Sequence, residues 1–253
     1  MAKRSSRRQR NVDVQLEVIS NNQKAIQEGP KKKKWSSHDL RRIKPLTDTQ
    51  EDMFQAWFEG DHLCAHGFAG TGKTFLAMYL GLYELLERKD QQKIIIIRSA
   101  VPTRDLGFTP GTLEEKAALY ELPYHDICHE LLGRHSTYQD MKDARLIEFM
   151  TTSYIRGITW DNAIIIVDEF QNMSKHEVDS VMTRVGKNSR IIVAGDGSHQ
   201  CDISKGPQSG ATYLINTAKR HGGFADIAFG VDDIVRSAFV KDWIIASEET
   251  ENG

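Results

Sequence analysis

The chain has 253 residues, 40% of them hydrophobic, and a formal net charge of −2 at pH 7. That length and apolar content are enough for one sizeable α/β core. The sequence has no run of about 18 apolar residues, and its basic N-terminus lacks the apolar core of a signal peptide, so we predict neither a membrane span nor export. Three scattered cysteines, Cys64, Cys128 and Cys201, are typical of a protein in a reducing cytoplasm.

The small net charge conceals two segments of opposite sign. Residues 1–47 carry 13 Lys and Arg against 4 Asp and Glu, a net +9, while the remainder carries 20 against 31, a net −11. We therefore predict a basic, flexible arm over residues 1–44, one main domain over 45–247 and a frayed acidic tail over 248–253. The composition of the arm fits both a nucleic-acid contact and a solvated tail.

The stretch His62–Met78 reads HLCAHGFAGTGKTFLAM and contains the pattern GxxxxGK[ST]. A short apolar strand, Leu63–Ala65, precedes the pattern and an apolar helix follows it, which is the context of a phosphate-binding P-loop. Glycines in such a loop let backbone N–H groups face the phosphates. Lys73 is predicted to reach the β- and γ-phosphates of ATP, and the Thr74 hydroxyl to ligate Mg²⁺. The predicted phosphate-binding residues are Gly67, Phe68, Ala69, Gly70, Thr71, Gly72, Lys73 and Thr74.

A predicted helix upstream of the P-loop ends near Phe58, before Gly60. Thr47 and Gln50 at its start fit a capping box, in which the glutamine side chain accepts a hydrogen bond from the N-cap backbone. In helicase-type ATPases a glutamine just upstream of the P-loop holds the adenine, and Gln50 is placed for that role. Both interpretations of Gln50 stay open on the sequence.

The second half of the predicted ATP site is the segment 161–169, DNAIIIVDE. Ala163–Val167 is a continuous apolar strand, and two carboxylates at its end are costly to hold together without a cation or a reaction that uses them. We assign Asp168 to Mg²⁺, through metal-bound water, and Glu169 to the base that orients or deprotonates the attacking water. A solvated acidic pair is the alternative.

Two further strand ends carry candidate residues. The predicted strand Arg190–Ala194 leads to Asp196 and Gln200, which are placed to sense the γ-phosphate, although Gly, Asp and Ser in this segment also favour a simple turn. The predicted strand Lys93–Ile97 leads to Arg98. Because ligands of α/β folds bind at strand tips, Arg98 is a candidate contact to a nucleic-acid backbone, with an ordinary surface arginine as the alternative.

A predicted helix over residues 113–132 brings His125, Cys128 and His129 together, a spacing that raises the question of zinc. The sequence offers no further ligand cluster beside them, so we expect a polar helix surface with Cys128 packed inward. A last helix is predicted over residues 232–246.

Five segments in this order resemble the PhoH-like proteins of bacteria and their phages. They read GFAGTGKT, RSAVPTRDLGFTPGTLEEK, YIRGITWDNAIIIVDEFQNMS, TRVGKNSRIIVAGDGSHQCDI and DDIVRSAFV. The resemblance implies an ATPase with a three-layer, RecA-like α/β core and a mostly parallel sheet, similar to the first motor domain of superfamily 1 helicases. It also implies that the strand before Asp196 lies between the P-loop strand and the strand that ends at Asp168. Asp196 and Gln200 would then lie close to the γ-phosphate.

The resemblance further implies an RNA-linked activity, with Arg98 and Arg156 as contacts to the polymer. The sequence departs from the family pattern at Ser99, where a proline is frequent, and between Asp196 and Gln200, both of which are retained. No nuclease domain is expected before the ATPase, so RNA cleavage is not predicted.

One core domain contacts ATP from one side only, whereas a helicase motor encloses ATP between two domains. We therefore expect a homo-oligomer, as a hexameric ring. Arg236 in the DDIVRS segment is the candidate to act near the γ-phosphate, in its own subunit or across the subunit boundary. A cap or a salt bridge within its own helix is the alternative role.

The leading predicted function is an ATP- and Mg²⁺-dependent motor or remodeller that acts on single-stranded RNA. The predicted compartment is the cytoplasm of a bacterium, or of a bacterial host if the chain is phage-encoded. The alternatives are a motor that acts on DNA and a regulatory ATP-binding switch that binds a protein partner. A small-molecule kinase is disfavoured, because Glu169 suits hydrolysis.

Overall fold

The computed structural model of the chain describes residues 35–99, 113–155, 157–196 and 210–252. From Ser36 onward these residues belong to one compact unit with helices on both faces of a six-stranded sheet. The strands are β1 (His62–Gly67), β2 (Lys93–Arg98), β3 (Ile147–Thr151), β4 (Ala163–Asp168), β5 (Arg190–Gly195) and β6 (Phe224–Phe229). The described α-helices are α1 (Asp48–Glu59), α2 (Lys73–Tyr83), α3 (Leu113–Leu132), α4 (Thr137–Asp143), α5 (Lys175–Met182), α6 (Gly210–His221) and α7 (Ala238–Asn252). In these segments no helix is both long and apolar enough to cross a bilayer.

The strands are ordered β3-β2-β4-β5-β1-β6, and every neighbouring pair is parallel. This order confirms the predicted α/β class and the predicted position of β5 between β1 and β4. The register aligns the strand ends, since Arg98 lies opposite Asp168 and Asp168 lies opposite Ala194. The carboxyl edge of the sheet therefore carries the predicted site residues of four strands, as is usual for ligand sites in α/β folds.

The central strands are apolar along their whole length because both faces of the sheet are covered. Alternate side chains point to opposite faces. Ile166 faces α2, where a Cβ added at Gly81 would lie 3.3 Å from its Cδ1 atom, whereas Ile165 belongs to the core beneath α5 and α6. Helix α2 thus packs close to the sheet, which fixes the P-loop at its N-terminus.

The last helix departs from the prediction. Helix α7 begins at Ala238 rather than at Asp232, and it continues through most of the acidic tail that we expected to be frayed. The late start has a local cause, because the Asp233 carboxylate accepts hydrogen bonds from the Gly230 amide (2.8 Å) and the Thr49 hydroxyl (3.0 Å). These bonds hold a short 3₁₀ turn where the helix was predicted to begin.

Helix α3 contains the three residues that were considered as zinc ligands. Cys128 is fully buried, as expected. The His129 ring stacks on His135 with centroids 3.6 Å apart, and the His125 ring lies 4.2 Å from that of Tyr138. Within the described part of the chain, no three His, Cys, Asp or Glu side chains are grouped to hold a metal ion.

Candidate nucleotide triphosphate site

The P-loop connects β1 to α2 through three glycines with positive φ, namely Gly67 (121°), Gly70 (76°) and Gly72 (87°). Neighbouring backbone holds the loop in this shape. The Phe68 amide donates to the Phe229 carbonyl of β6 (3.2 Å), and the Val235 amide donates to the Gly70 carbonyl (3.1 Å). The strand β6 and the turn that follows it therefore support the phosphate-binding loop.

The structure leaves no room for a side chain at Gly67. A Cβ atom there would lie 2.1 Å from the Phe229 carbonyl oxygen, and its φ of 121° disfavours a side chain independently. We expect Gly67→Ala to lower the free energy of unfolding by about 3 kcal/mol or more in urea titration. Gly133→Ala is the matched control, because Gly133 also has positive φ but has open space around it. Its expected loss is about 1 kcal/mol, and equal losses for the two variants would contradict the steric argument.

The Lys73 ammonium lies on the concave side of the P-loop. It donates to the carbonyl oxygens of Gly67 (2.8 Å) and Phe68 (2.6 Å) and approaches the Thr71 hydroxyl at 3.3 Å. Burial lowers the pKa of Lys73, and the nearby carboxylates, Asp196 foremost, partly offset that effect. The ammonium is therefore held where phosphate oxygens would compete with the loop carbonyls for it.

Asp168 lies at the end of β4 with 3% of its surface exposed, and two hydroxyls contact its carboxylate. The Thr74 hydroxyl donates to Oδ1 (2.7 Å) and the Tyr124 hydroxyl donates to Oδ2 (2.8 Å). Burial and the neighbouring Asp168 raise the pKa of Tyr124 well above its ordinary value, so the phenol stays protonated and donates. A threonine hydroxyl beside a carboxylate offers the hard oxygen ligands that Mg²⁺ prefers, so the two predicted metal ligands fit that ion.

The sequence analysis missed Tyr124, which comes from α3, 44 residues before Asp168. Because its hydroxyl orients the carboxylate, we expect Tyr124→Phe to raise the Mg²⁺ concentration for half-maximal turnover by about 10- to 100-fold. Tyr138→Phe is the matched control, since the Tyr138 hydroxyl donates to the Glu121 carboxylate (2.7 Å) away from this site. A Mg²⁺ titration with the same midpoint in both variants would contradict the role of Tyr124.

Glu169 follows Asp168 in a left-handed backbone conformation, with φ of 54°. The side-chain nitrogen of Gln171 donates a hydrogen bond to Oε2, and an Arg98 guanidinium nitrogen lies 3.9 Å from Oε1. Burial and the adjacent Asp168 raise the pKa of Glu169 above that of an ordinary glutamate. A carboxylate with a raised pKa is a stronger base, which suits the predicted role of accepting a proton from water.

Gln171 connects Glu169 to the end of β5, and the sequence analysis did not single it out. Its side-chain oxygen accepts from the Asp196 amide at 2.9 Å, while its side-chain nitrogen binds Glu169. Only 6% of Gln171 is exposed, and a Cβ at Gly195 would lie 2.4 Å from its oxygen. The predicted base and the predicted sensor strand are thus coupled through one buried amide.

Gln50 is buried behind the P-loop. Its side-chain nitrogen donates to the Thr71 carbonyl (3.0 Å), and its oxygen accepts from the Leu46 amide (2.8 Å). The Thr47 hydroxyl accepts from the Gln50 amide as expected of an N-cap. The predicted reciprocal bond of the capping box is wrong, because the glutamine oxygen accepts from the amide of Leu46, the residue before the N-cap. Gln50 therefore supports the loop, and its contact with adenine stays a prediction.

Comparisons with known proteins identify the family of the chain. Residues 42–248 match the family model described as PhoH-like protein. The chain belongs to the PhoH-like family.

Two PhoH-like relatives illustrate the similarity. The chain is 34% identical over 210 residues to a PhoH-like protein of Bacillus subtilis, covering 83% of this chain and 65% of that one. It is 32% identical over 207 residues to Protein PhoH of Escherichia coli K12, covering 81% and 58%. Among solved structures, the SWI2/SNF2 ATPase core of Sulfolobus solfataricus in complex with dsDNA has a TM-score of 0.40 and 13% identity, covering 75% of this chain and 47% of that one. The chain thus spans about three fifths of the length of the two PhoH-like relatives.

In this PhoH-like protein Arg236 lies against its own P-loop. A Cβ atom on Gly70 would lie 2.9 Å from the Arg236 Cγ atom, and the arginine itself is exposed. Arg98 lies at the tip of β2, between the Glu169 carboxylate and the Tyr120 ring, whose centroid is 5.5 Å from the guanidinium carbon. Its contact with a nucleic-acid backbone stays a prediction. Gln200 and Arg156 are outside the described residues.

Proposed function

We propose that this PhoH-like chain binds MgATP and hydrolyses it. The observation that carries the proposal is the convergence at one sheet edge of the P-loop lysine, the Thr74–Asp168 pair and Glu169. The family match agrees with a P-loop nucleotide site but is silent on the reaction.

Each side chain has a separate role in the proposed hydrolysis. Loop amides and Lys73 would bind the phosphates, and Thr74 and Asp168 would hold Mg²⁺, whose charge would neutralise the phosphate oxygens. Glu169 orients the attacking water and takes its proton. Gln171 and Arg98 keep the Glu169 carboxylate in place, so a shift of the β5 end or of Arg98 changes the position of the base.

We propose further that the hydrolysis serves an RNA-binding motor or remodeller in the bacterial or host cytoplasm. Arg98 supports this part, because a guanidinium paired with a carboxylate at 3.9 Å is also suited to bind a phosphate. A phosphate of a bound RNA at the tip of β2 would compete with Glu169 for Arg98. Polymer binding would thereby affect Glu169, the proposed general base. The basic arm, with its net charge of +9 over residues 1–47, supplies attraction for either RNA or DNA.

Steady-state phosphate release with single-stranded RNA, single-stranded DNA or no polymer tests this proposal. We expect RNA to raise turnover of the full chain, and Arg98→Ala to lose that stimulation. Arg42→Ala is the matched control, because Arg42 also lies over a tyrosine ring, 5.0 Å from the centroid of Tyr83, but pairs with Glu87 rather than with Glu169. Stimulation by DNA alone would favour the DNA-directed motor. If neither polymer binds or changes turnover, the motor proposal fails and the regulatory switch replaces it.

We also propose a homo-oligomeric ring, with a hexamer as the expected size, and a role for Arg236 at the γ-phosphate. Its contact with Gly70 of the same chain supports action within one subunit. Mixing two inactive variants, Arg236→Ala and Glu169→Gln, distinguishes the arrangements. Action within one subunit predicts no recovery of turnover in the mixture, whereas action across the boundary predicts substantial recovery. Normal turnover of Arg236→Ala alone would exclude both roles.

A further inference from the structure

Helix α7 carries an apolar surface that nothing in the described part of the chain covers. Phe239 is 75% exposed and Trp243 is 69% exposed, and their rings lie parallel to within 25°, with centroids 6.5 Å apart. Val235 and Val240 beside them are each 37% exposed. Among the α7 residues whose side chains are described, none is buried. We call these four residues the apolar ridge.

The apolar ridge borders the nucleotide site. The amide of Val235, which precedes α7, donates to the Gly70 carbonyl, and the Cδ1 atom of Ile244 in α7 would lie 3.7 Å from a Cβ on Gly70. The family match reaches residue 248, so the ridge belongs to the shared domain rather than to an appended tail. Whatever covers the ridge therefore also approaches the P-loop.

An apolar groove lies at the opposite edge of the sheet. It has a volume of about 370 Å³ and lies between α5 and α6, over the first residues of β1, β5 and β6. Its lining includes Met182, Val185, Leu214 and Phe224, with Thr217 at its exposed rim. We call it the α5–α6 groove. The nucleotide site is at the carboxyl ends of these strands, so the ridge and the groove are at opposite edges of the sheet.

The helices that carry the two surfaces have net charges of opposite sign. Helix α7 contains one lysine against four carboxylic residues, a net −3. Helix α6 contains no carboxylic residue, and its last turn, which borders the groove, carries Lys219, Arg220 and His221. The Asp179 carboxylate of α5 also lines the groove, and the Lys219 ammonium lies 3.1 Å from the Asp226 carboxylate. Opposite net charges on the two helices steer association.

We propose that the apolar ridge of one copy of this chain docks in the α5–α6 groove of the next copy. Because the two surfaces differ and lie at opposite edges, the contact is heterologous, and its repetition closes a ring or extends a filament. Each contact places the neighbour beside the P-loop. The inference deepens the proposed assembly of the ATPase, but its test reads molecular mass and does not depend on ATP hydrolysis.

Mass measurement of the full chain, by light scattering or native mass spectrometry with ATP, tests the contact with two separate variants. Phe239→Ser/Trp243→Ser removes the ridge, and Thr217→Trp fills the groove from an exposed position. Each is expected to weaken assembly at least about 30-fold in apparent Kd, because buried aromatic anchors dominate such interfaces. Leu119→Ser/Leu122→Ser and Thr212→Trp are the matched controls, since these residues are exposed but lie in neither surface. Circular dichroism establishes that each variant is folded.

Mixing the two variants gives the decisive result. A ridge variant keeps its groove and a groove variant keeps its ridge, so a 1:1 mixture is expected to form heterodimers with one intact contact, although neither variant assembles alone. A wild-type chain that stays monomeric would overturn the proposal. It would also be overturned if Thr217→Trp assembles normally, or if deletion of residues 1–34, rather than either variant, abolishes assembly. A ridge variant that assembles normally but loses RNA binding would assign the ridge to the polymer and overturn it equally.

Discussion

Replacing Glu169 with glutamine is expected to lower ATP turnover by about 10²- to 10⁴-fold, the range typical of general acid–base catalysis. The amide keeps the shape of the side chain but cannot accept the proton of the attacking water. Nucleotide binding, measured by fluorescence titration, is expected to change only a few-fold, because Glu169 does not belong to the phosphate-binding loop.

Glu148→Gln is the matched control, because it removes a carboxylate paired with Lys93 at 2.9 Å on β3. Burial and Asp168 raise the pKa of Glu169, so turnover should fall as the pH is lowered through that raised pKa. The acid limb is expected at higher pH than the value of about 4.3 for a solvated glutamate. Glu169→Gln with turnover within tenfold of wild type would show that another group acts as the base.

Replacing Lys73 with alanine is expected to weaken ATP binding by about 10- to 100-fold and to abolish measurable turnover. The ammonium makes charge-assisted contacts on the concave side of the P-loop, and such hydrogen bonds contribute about 1.5 to 3 kcal/mol. Because burial already lowers the pKa of Lys73, the free energy of unfolding should change by only about 1 kcal/mol.

Lys187→Ala is the control for Lys73, since Lys187 is an exposed lysine at the opposite edge of the sheet, before β5. Equilibrium dialysis or fluorescence titration reads the affinity directly, without requiring turnover. Equal affinity of the two alanine variants would place the phosphates somewhere other than the Gly67–Thr74 loop.

Local patterns were enough to predict the sheet and the residues of the P-loop. The apolar runs of β2 and β4 indicate strands buried on both faces, and the glycine spacing before Lys73 indicates the phosphate loop. The position of β5 came from the family resemblance, and its pairing with β1 and β4 confirms that position.

Contacts between distant segments could not be predicted from local sequence patterns. Tyr124 reaches Asp168 across 44 residues, and the bond depends on how α3 packs, which no spacing within α3 reveals. Gln171 is two residues from Glu169, but its role depends on the parallel strand that delivers the Asp196 amide. Likewise, α7 begins late because Asp233 binds Thr49, a residue 184 positions earlier.

We propose that this sheet edge hydrolyses ATP and that assembly, which brings a neighbouring copy beside the P-loop, raises the rate. The most direct test is phosphate release per chain from MgATP, measured across a range of protein concentrations, with mass measured on the same samples. The account predicts that release per chain rises in parallel with the assembled fraction and then reaches a plateau. No release at any concentration, or equal release per chain from monomers and assemblies, would contradict it.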